Sequence, residues 1–296
     1  MNDRFAAYHP LVNFLYFSLV LGFSMVLNHP LAQGISLVCA IIYAVQTEGK
    51  KAMLFTLRWC LPIMLLTVFM NPAFNHEGKT ILLYFPTGNP LTLESILYGF
   101  SSGVMIVTVM LWFLSFNRVI TSDKFIYLFG RIIPAMSLIL SMTLRFVPKF
   151  KVQMDHVIDA QKSIGRDISE GSLWHRTKIA VTVLSIMVTW ALENAIETAD
   201  SMKSRGYGLP GRTAFSIYRF DDRDKIALLY LAFCGVYLLC GMMISAFGFR
   251  YFPSIRYIGI NAVTLSFQFV YFIMCIMPVV LNGAEERKWK AIHSKM

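Results

Sequence analysis

Side chains able to do acid–base, nucleophilic or metal chemistry are few in this chain and scattered. Asp155, His156 and Asp159 share one stretch, His175 stands further on, and His76 precedes Glu77 elsewhere. A zinc protease needs H-E-x-x-H on one helix face and a serine hydrolase needs G-x-S-x-G, and neither occurs. The cysteines, Cys39, Cys60, Cys234, Cys240 and Cys275, lack metal-ligand spacing and lie in apolar runs, where a thiol serves as a small hydrophobe. Asp221, Asp222 and Asp224 alternate with Arg219, Arg223 and Lys225, the pattern of a solvated boundary before an apolar run. No catalytic residue, bound cofactor or metal is expected.

What remains is a pair of glycine-terminated segments. The first, PKFKVQMDHVIDAQKSIG, repeats apolar residues at Phe150, Met154, Val157, Ile158 and Ile164, with Lys151, Asp155, Asp159 and Lys162 opposite. Pro148 at its start and Gly165 at its end predict a helix between them, closing on Ser163, Ile164 and Gly165 with Arg166 just beyond. The second, from about Arg176 to Ser204, is apolar in its first half and charged in its second, ENAIETADSMKSRG. Gly206 reads as its C-terminal glycine and Pro210 prevents continuation. Arg205, in that last turn, admits two readings. It complements the helix dipole and bonds free carbonyls, or it offers a rigid fork of donors to a partner's groove.

The elements that must hold these segments are set by composition. The chain has 296 residues, of which 56% are hydrophobic and only 15% charged, and its mean hydropathy is +0.57. An ordinary globular domain carries about a quarter charged residues, so an all-α polytopic membrane protein is expected. Six spans are predicted: Leu11 to Asn28, Leu31 to Gln46, Leu54 to Met70, Ile96 to Phe116, Ile226 to Phe247 and Ile260 to Leu281. The first shows no cleavage site and is expected to be retained. Phe125 to Leu144 and Lys178 to Leu192 are also apolar, but if both crossed, the basic connection Arg145 to Arg176 would lie outside, against the positive-inside rule. With six spans and the N-terminus inside, 24 of the 27 lysines and arginines are cytoplasmic, and only Lys79, Arg250 and Arg256 are not. The organisation expected is spans one to four over residues 1–116, cytoplasmic or interfacial coupling helices over 117–225, and spans five and six with a basic tail over 226–296. Phe125 to Leu144, broken by Arg131 and Pro134, is expected as two helices about a kink. The outer loop Asn71 to Ser95 is read either as a hairpin, with turn chemistry at Pro86, Thr87, Gly88 and Asn89, or as a loop packed on helix ends.

The stretch A-x-x-M-x-S-R-G-Y resembles the second signature of the transmembrane T component of energy-coupling factor transporters, vitamin and metal-ion importers related to ABC transporters. SMTLRFVPKF followed by DAQKSIG is similar to that family's first coupling region, and NHEG…GNPLTLES…YG to its outer loop. The likeness runs from about Phe55 to Tyr207. It implies a non-catalytic membrane scaffold whose two cytoplasmic signatures insert arginines into two ABC-type ATPase subunits, while a small membrane-embedded substrate-binding S component is held on apolar helix faces. Carried over, Ser204, Arg205 and Gly206 match the second signature. Ser163, Ile164 and Gly165 occupy the first, with Ile164 where the family has arginine and Arg166 the nearest cation. That contact uses Arg166, or is apolar, or is weak. For the S component the resemblance points to Phe125, Leu128, Ile132, Ile179, Val183, Ile186 and Trp190. The rival readings are a stand-alone secondary transporter or channel, which ordinarily places ionisable groups inside its spans, and a nucleic-acid binder, for which the basic residues form no continuous phosphate track. The expected surroundings are the lipid bilayer, with no nucleic acid.

Overall fold

The computed structural model describes residues 3–84, 89–130, 133–167, 169–209, 218–257 and 261–293. Its helices are α1 (Pro10–Val26), α2 (Pro30–Glu48), α3 (Lys50–Phe74), α4 (Leu93–Val119), α5 (Ser122–Gly130), α6 (Pro134–Ser163), α7 (Leu173–Ser204), α8 (Asp222–Met243) and α9 (Ala262–His293). Two small antiparallel pairs complete it, β1 (Ile81–Tyr84) with β2 (Pro90–Thr92), and β3 (Phe249–Arg250) with β4 (Arg256–Tyr257). The chain is an all-α polytopic membrane protein. It divides into two compact units, one of residues 126–217 and one of the residues on either side.

In the larger unit, α1 and α2 begin identically. A His–Pro pair puts proline at the first helical position, where no N–H is missed, and the histidine caps the next turn. His9 and His29 each accept, through Nδ1, the N–H of Leu11 and Leu31 at 3.3 Å. α4 packs on α1, α2 and α3, while α9 packs on α2 and α8. Gly99 and Gly103 of α4 let α3 come close. A Cβ on Gly99 would meet the Thr67 carbonyl at 3.0 Å, and one on Gly103 the Thr67 hydroxyl at 2.5 Å. This is the small-xxx-small packing that replaces hydrophobic driving force inside lipid. Phe5, Tyr16, Phe17, Tyr43 and Trp112 form a fully buried aromatic centre, with Phe5 and Tyr16 rings edge to face at 4.9 Å. Between helices, Trp112 Nε1 donates to Ser36 Oγ at 3.0 Å, Ser36 and Ser24 share a hydrogen bond of 2.8 Å, and the Tyr16 hydroxyl donates to the Cys275 carbonyl at 3.0 Å. These buried hydroxyls thus find partners where water is absent.

The segment before α1 is tied down by side chains from other helices. Asn282 Oδ1 accepts the Arg4 N–H at 3.0 Å, Asp224 Oδ1 accepts the His9 N–H at 2.9 Å, and Lys124 Nζ donates to the Ala6 carbonyl. Burial pushes the Lys124 ammonium down to about 8, against the opposing pull of Asp3.

The expectations fare differently. Among the described residues six helices are long and apolar enough to cross a membrane, by length and composition, and they are α2, α3, α4, α7, α8 and the Ala262–Ala284 part of α9. α1, at 17 residues, falls among the shorter apolar helices, at the practical minimum for crossing. The helix expected from Pro148 begins instead at Pro134, a first-turn proline. It continues through Pro148, giving up one backbone hydrogen bond at a cost of roughly 3 kcal/mol. The outer loop is a hairpin, anchored where Glu94 Oε1 accepts the Thr80 hydroxyl at 2.9 Å. Its expected turn residues Pro86, Thr87 and Gly88 lie outside the described residues, as do Arg131 and Pro210. Asp224 is buried rather than solvated, and closes a reciprocal capping box with Asp221 at the start of α8.

Candidate functional site

In the smaller unit, α6 and α7 form an antiparallel pair. Lys149 Nζ donates to Asn194 Oδ1 at 2.8 Å, and the Phe150 and Trp190 rings meet edge to face at 5.2 Å. Further along, Val157 and Ile158 pack on Ile179, Val183 and Met187. As residue numbers rise on α6 they fall on α7, so the two helix C-termini leave the contact in opposite directions. From the level of Gln153 and Met187, at 1.5 Å per residue, the two ends lie roughly 40 Å apart along the pair at most.

Both ends are built the same way. Gly165 and Gly206 each have φ +77°, a left-handed conformation that glycine adopts without penalty. The Gly165 N–H donates to the Lys162 carbonyl and the Arg166 N–H to the Gln161 carbonyl, both at 3.0 Å. The Gly206 N–H donates to the Lys203 carbonyl and the Tyr207 N–H to the Met202 carbonyl, again at 3.0 Å. These are two copies of one Schellman motif. Ile164 (φ −97°, ψ 18°) and Arg205 (φ −84°, ψ 9°) occupy the same C-cap position. Ser163 and Ser204 precede them, each with its hydroxyl bonded back to its own helix at 2.9 Å, on the Asp159 and Ser201 carbonyls. Arg166 holds the position that Tyr207 holds at the other end, so it is not the structural counterpart of Arg205.

Ser163, Ile164, Gly165, Arg166, Ser204 and Arg205 are exposed, and Gly206 is half-buried. Among the described residues no carboxylate pairs with Arg205. Beside Ile164 the charges are engaged: Lys162 lies 3.2 Å from Asp167. The backbone N–H and the hydroxyl of Ser169, helped by Lys162, hold the Asp167 carboxyl down at about 2. The dipole reading of Arg205 survives only in part, because the motif's own N–H groups already satisfy the Lys203 and Met202 carbonyls.

The residues expected to carry an apolar partner divide. Ile179 and Val183 are buried in the pair's own contact, and Ile132 lies outside the described residues. Phe125 is exposed, Leu128 half-buried, and Ile186 and Trp190 line a cavity of about 380 Å³ with Gln153 and Glu193. The larger exposed apolar surface lies on the same apolar stretch of α7, on residues that the sequence did not single out. Val181, Leu184, Val188 and Leu192 are each more than half exposed and form a continuous stripe at three- and four-residue spacing.

Among the described residues no three His, Cys, Asp or Glu side chains assemble into a metal-holding group. The buried carboxylates Glu94 and Asp224 stand in the first turns of α4 and α8, where they accept backbone N–H groups.

The family model described as CbiQ, cobalt transport protein, matches residues 9–215, which include both helix ends. The chain is 29% identical over 220 residues to "Energy-coupling factor transporter transmembrane protein EcfT 1" of Listeria monocytogenes, a match covering 67% of this chain and 79% of that protein. It is 29% identical over 206 residues to the similarly named EcfT of Staphylococcus aureus, covering 64% and 76%. To the EcfT of Lactobacillus helveticus it is 34% identical over 109 residues, spanning 36% of this chain and 38% of that protein's length.

Proposed function

Because this chain belongs to the family of the cobalt transport protein CbiQ, as an EcfT-like transmembrane T component of energy-coupling factor transporters, we propose that it is the non-catalytic scaffold coupling two ABC-type ATPase subunits to a small membrane-embedded S component. The observation that carries this reading is the pair of matching, exposed helix ends that leave one helix pair in opposite directions, at most roughly 40 Å apart along it. One end suits each of two partners. Arg205 presents its guanidinium without an internal carboxylate, ready for a bidentate acceptor in a partner groove. When ATP draws the two ATPases together, the ends move with them. The α6–α7 contact, pinned by Phe150, Trp190, Lys149 and Asn194, turns that displacement into a rotation of the pair.

The S component is held on the exposed stripe Val181, Leu184, Val188 and Leu192, and Ile186, Leu128 and Phe125 are each proposed as further contacts for it. That stripe is too apolar for water. The excess of basic residues on one side supports a topology with both termini and the α6–α7 pair on the cytoplasmic side of the cell membrane. α1 then crosses the bilayer and α7 does not. Substrate choice, a vitamin or a metal ion, rests with the S component. The test is uptake by cells or vesicles carrying the whole assembly. Arg205→Ala should reduce uptake at least tenfold while the protein remains in the membrane at ordinary levels, and undiminished uptake would sink the coupling role.

A further inference from the structure

The chain leaves the larger unit at Phe125 and returns to it at Tyr218. Along the backbone, a pull on α6 and α7 reaches the membrane helices by these two passages. Within the larger unit both are held by one short segment, residues 3–9. At the outgoing passage Lys124, only 7% exposed, donates from Nζ to the Ala6 carbonyl. At the returning passage Asp224 Oδ1 accepts the His9 N–H at 2.9 Å, and the Phe220 and His9 rings meet edge to face at 5.0 Å. The Arg223 guanidinium lies 5.8 Å from the centre of the Tyr8 ring. The two passages also feel each other, since burial, with the negative charge of Asp123, pushes the Tyr218 phenol up. The segment itself is fixed. Phe5 is fully buried in the aromatic centre, the Tyr43 hydroxyl donates to Asp3 Oδ2 at 2.8 Å, and Asn282 Oδ1 accepts the Arg4 N–H.

Stability alone does not ask for this arrangement. Burying an ammonium against a carbonyl costs free energy that a methionine of similar length would not, even with the Asp3 carboxylate near enough to attract it. Starting α1 needs only the His9 cap. What the lysine adds is a fixed bond at the penultimate residue before the chain leaves the unit. We propose that residues 3–9 form a clasp that holds the two passages together, with Lys124 and Phe220 as its positioning residues, so that the coupling helices swing about one fixed root. This rests on the coupling reading above and adds how the movement enters the membrane helices. With both passages held, a displacement of the helix ends turns the pair. With one loosened, the few residues of that passage act as a hinge and absorb the displacement.

The experiment uses the tagged full chain, purified with its partners and placed in lipid nanodiscs, with the exposed Cys240 changed to alanine. Spin labels at Ser122 and Arg219, both exposed, read the separation of the two passages. A second pair at Asp200 and Lys51, also exposed, reads the movement of α7 when MgATP is added. Wild type should give one narrow Ser122–Arg219 distance, unmoved by MgATP, while the Asp200–Lys51 distance shifts. Lys124→Met should at least double the width of the first distribution and at least halve the shift of the second. Phe220 is 43% exposed, so Phe220→Ala keeps the fold and should act in the same direction. Lys124→Arg, which keeps a donor, should resemble wild type. Arg205→Ala should lose the MgATP shift and keep the narrow first distance. A first distribution that stays narrow in Lys124→Met and Phe220→Ala, or a MgATP shift as large as that of wild type in both, would overturn the clasp and leave the coupling role standing. If MgATP moves nothing in wild type, both fall.

Discussion

The glycine at each helix end makes a demand that a substitution can measure. At φ +77°, Gly206 occupies a conformation that costs an ordinary L-residue about 1–2 kcal/mol. A new Cβ would also stand 3.0 Å from Leu209 Cδ1, a side-chain tip that can rotate aside, so the backbone dominates. The end is exposed, so the cost falls on the last turn and not on the whole fold. In Gly206→Val the ratio of ordered to frayed ends should drop roughly 5- to 30-fold, taking 1.4 kcal/mol as tenfold. Two readouts follow. The Tyr207 amide, bonded to the Met202 carbonyl, should exchange with deuterium faster, and apparent ATPase affinity should fall by up to the same factor. Gly206→Asn should behave nearly as wild type, since asparagine tolerates left-handed backbone. Unchanged exchange and affinity in Gly206→Val would refute the claim that this motif presents Arg205.

Arg205→Ala should alter thermal stability by less than about 1 kcal/mol, the worth of an exposed cation at a helix C-terminus. Differential scanning in detergent checks this, and a large loss would make the residue structural. Gly103→Val drives a side chain into Thr67 and Met64 of α3, and should destabilise by about 1–3 kcal/mol. Gly283, with nothing within 4 Å of its added Cβ, should accept alanine without loss in the same assay. Lys124 is depressed to about 8 from 10.5, so between those pH values the unfolded chain binds more protons than the folded one. Stability should therefore rise with pH through that window and change less in Lys124→Met, as denaturation at stepped pH would report.

The sequence made the membrane class and the glycine punctuation legible, because both rest on local chemistry: apolar length, charge asymmetry and left-handed backbone. Less visible was which face of α7 is spent internally. Its first half is apolar all round, so Ile179 and Val183 on one side and Val181 and Leu184 on the other look equally available until α6 covers the first pair. Pro148 misled for a related reason, since proline marks helix starts more often than interiors, and Pro134 was the true first-turn residue. The equivalence of Ile164 with Arg205 was legible in the shared Ser-x-Gly spacing. That Arg166 is not the backbone counterpart of Arg205 required the hydrogen bonds, which show the glycine turning the chain before that residue. Asp224 resembled its neighbours Asp221 and Asp222 in sequence and differs only because α1 and its preceding segment fold over it.

Affinity purification of the tagged chain in mild detergent, wild type beside Arg205→Glu, tests the scaffold role most directly. Wild type should bring down two ATPase subunits and a small membrane protein, and Arg205→Glu should lose the ATPase held at that end while retaining the small partner. A chain that purifies alone, or that transports by itself in liposomes, would contradict the account.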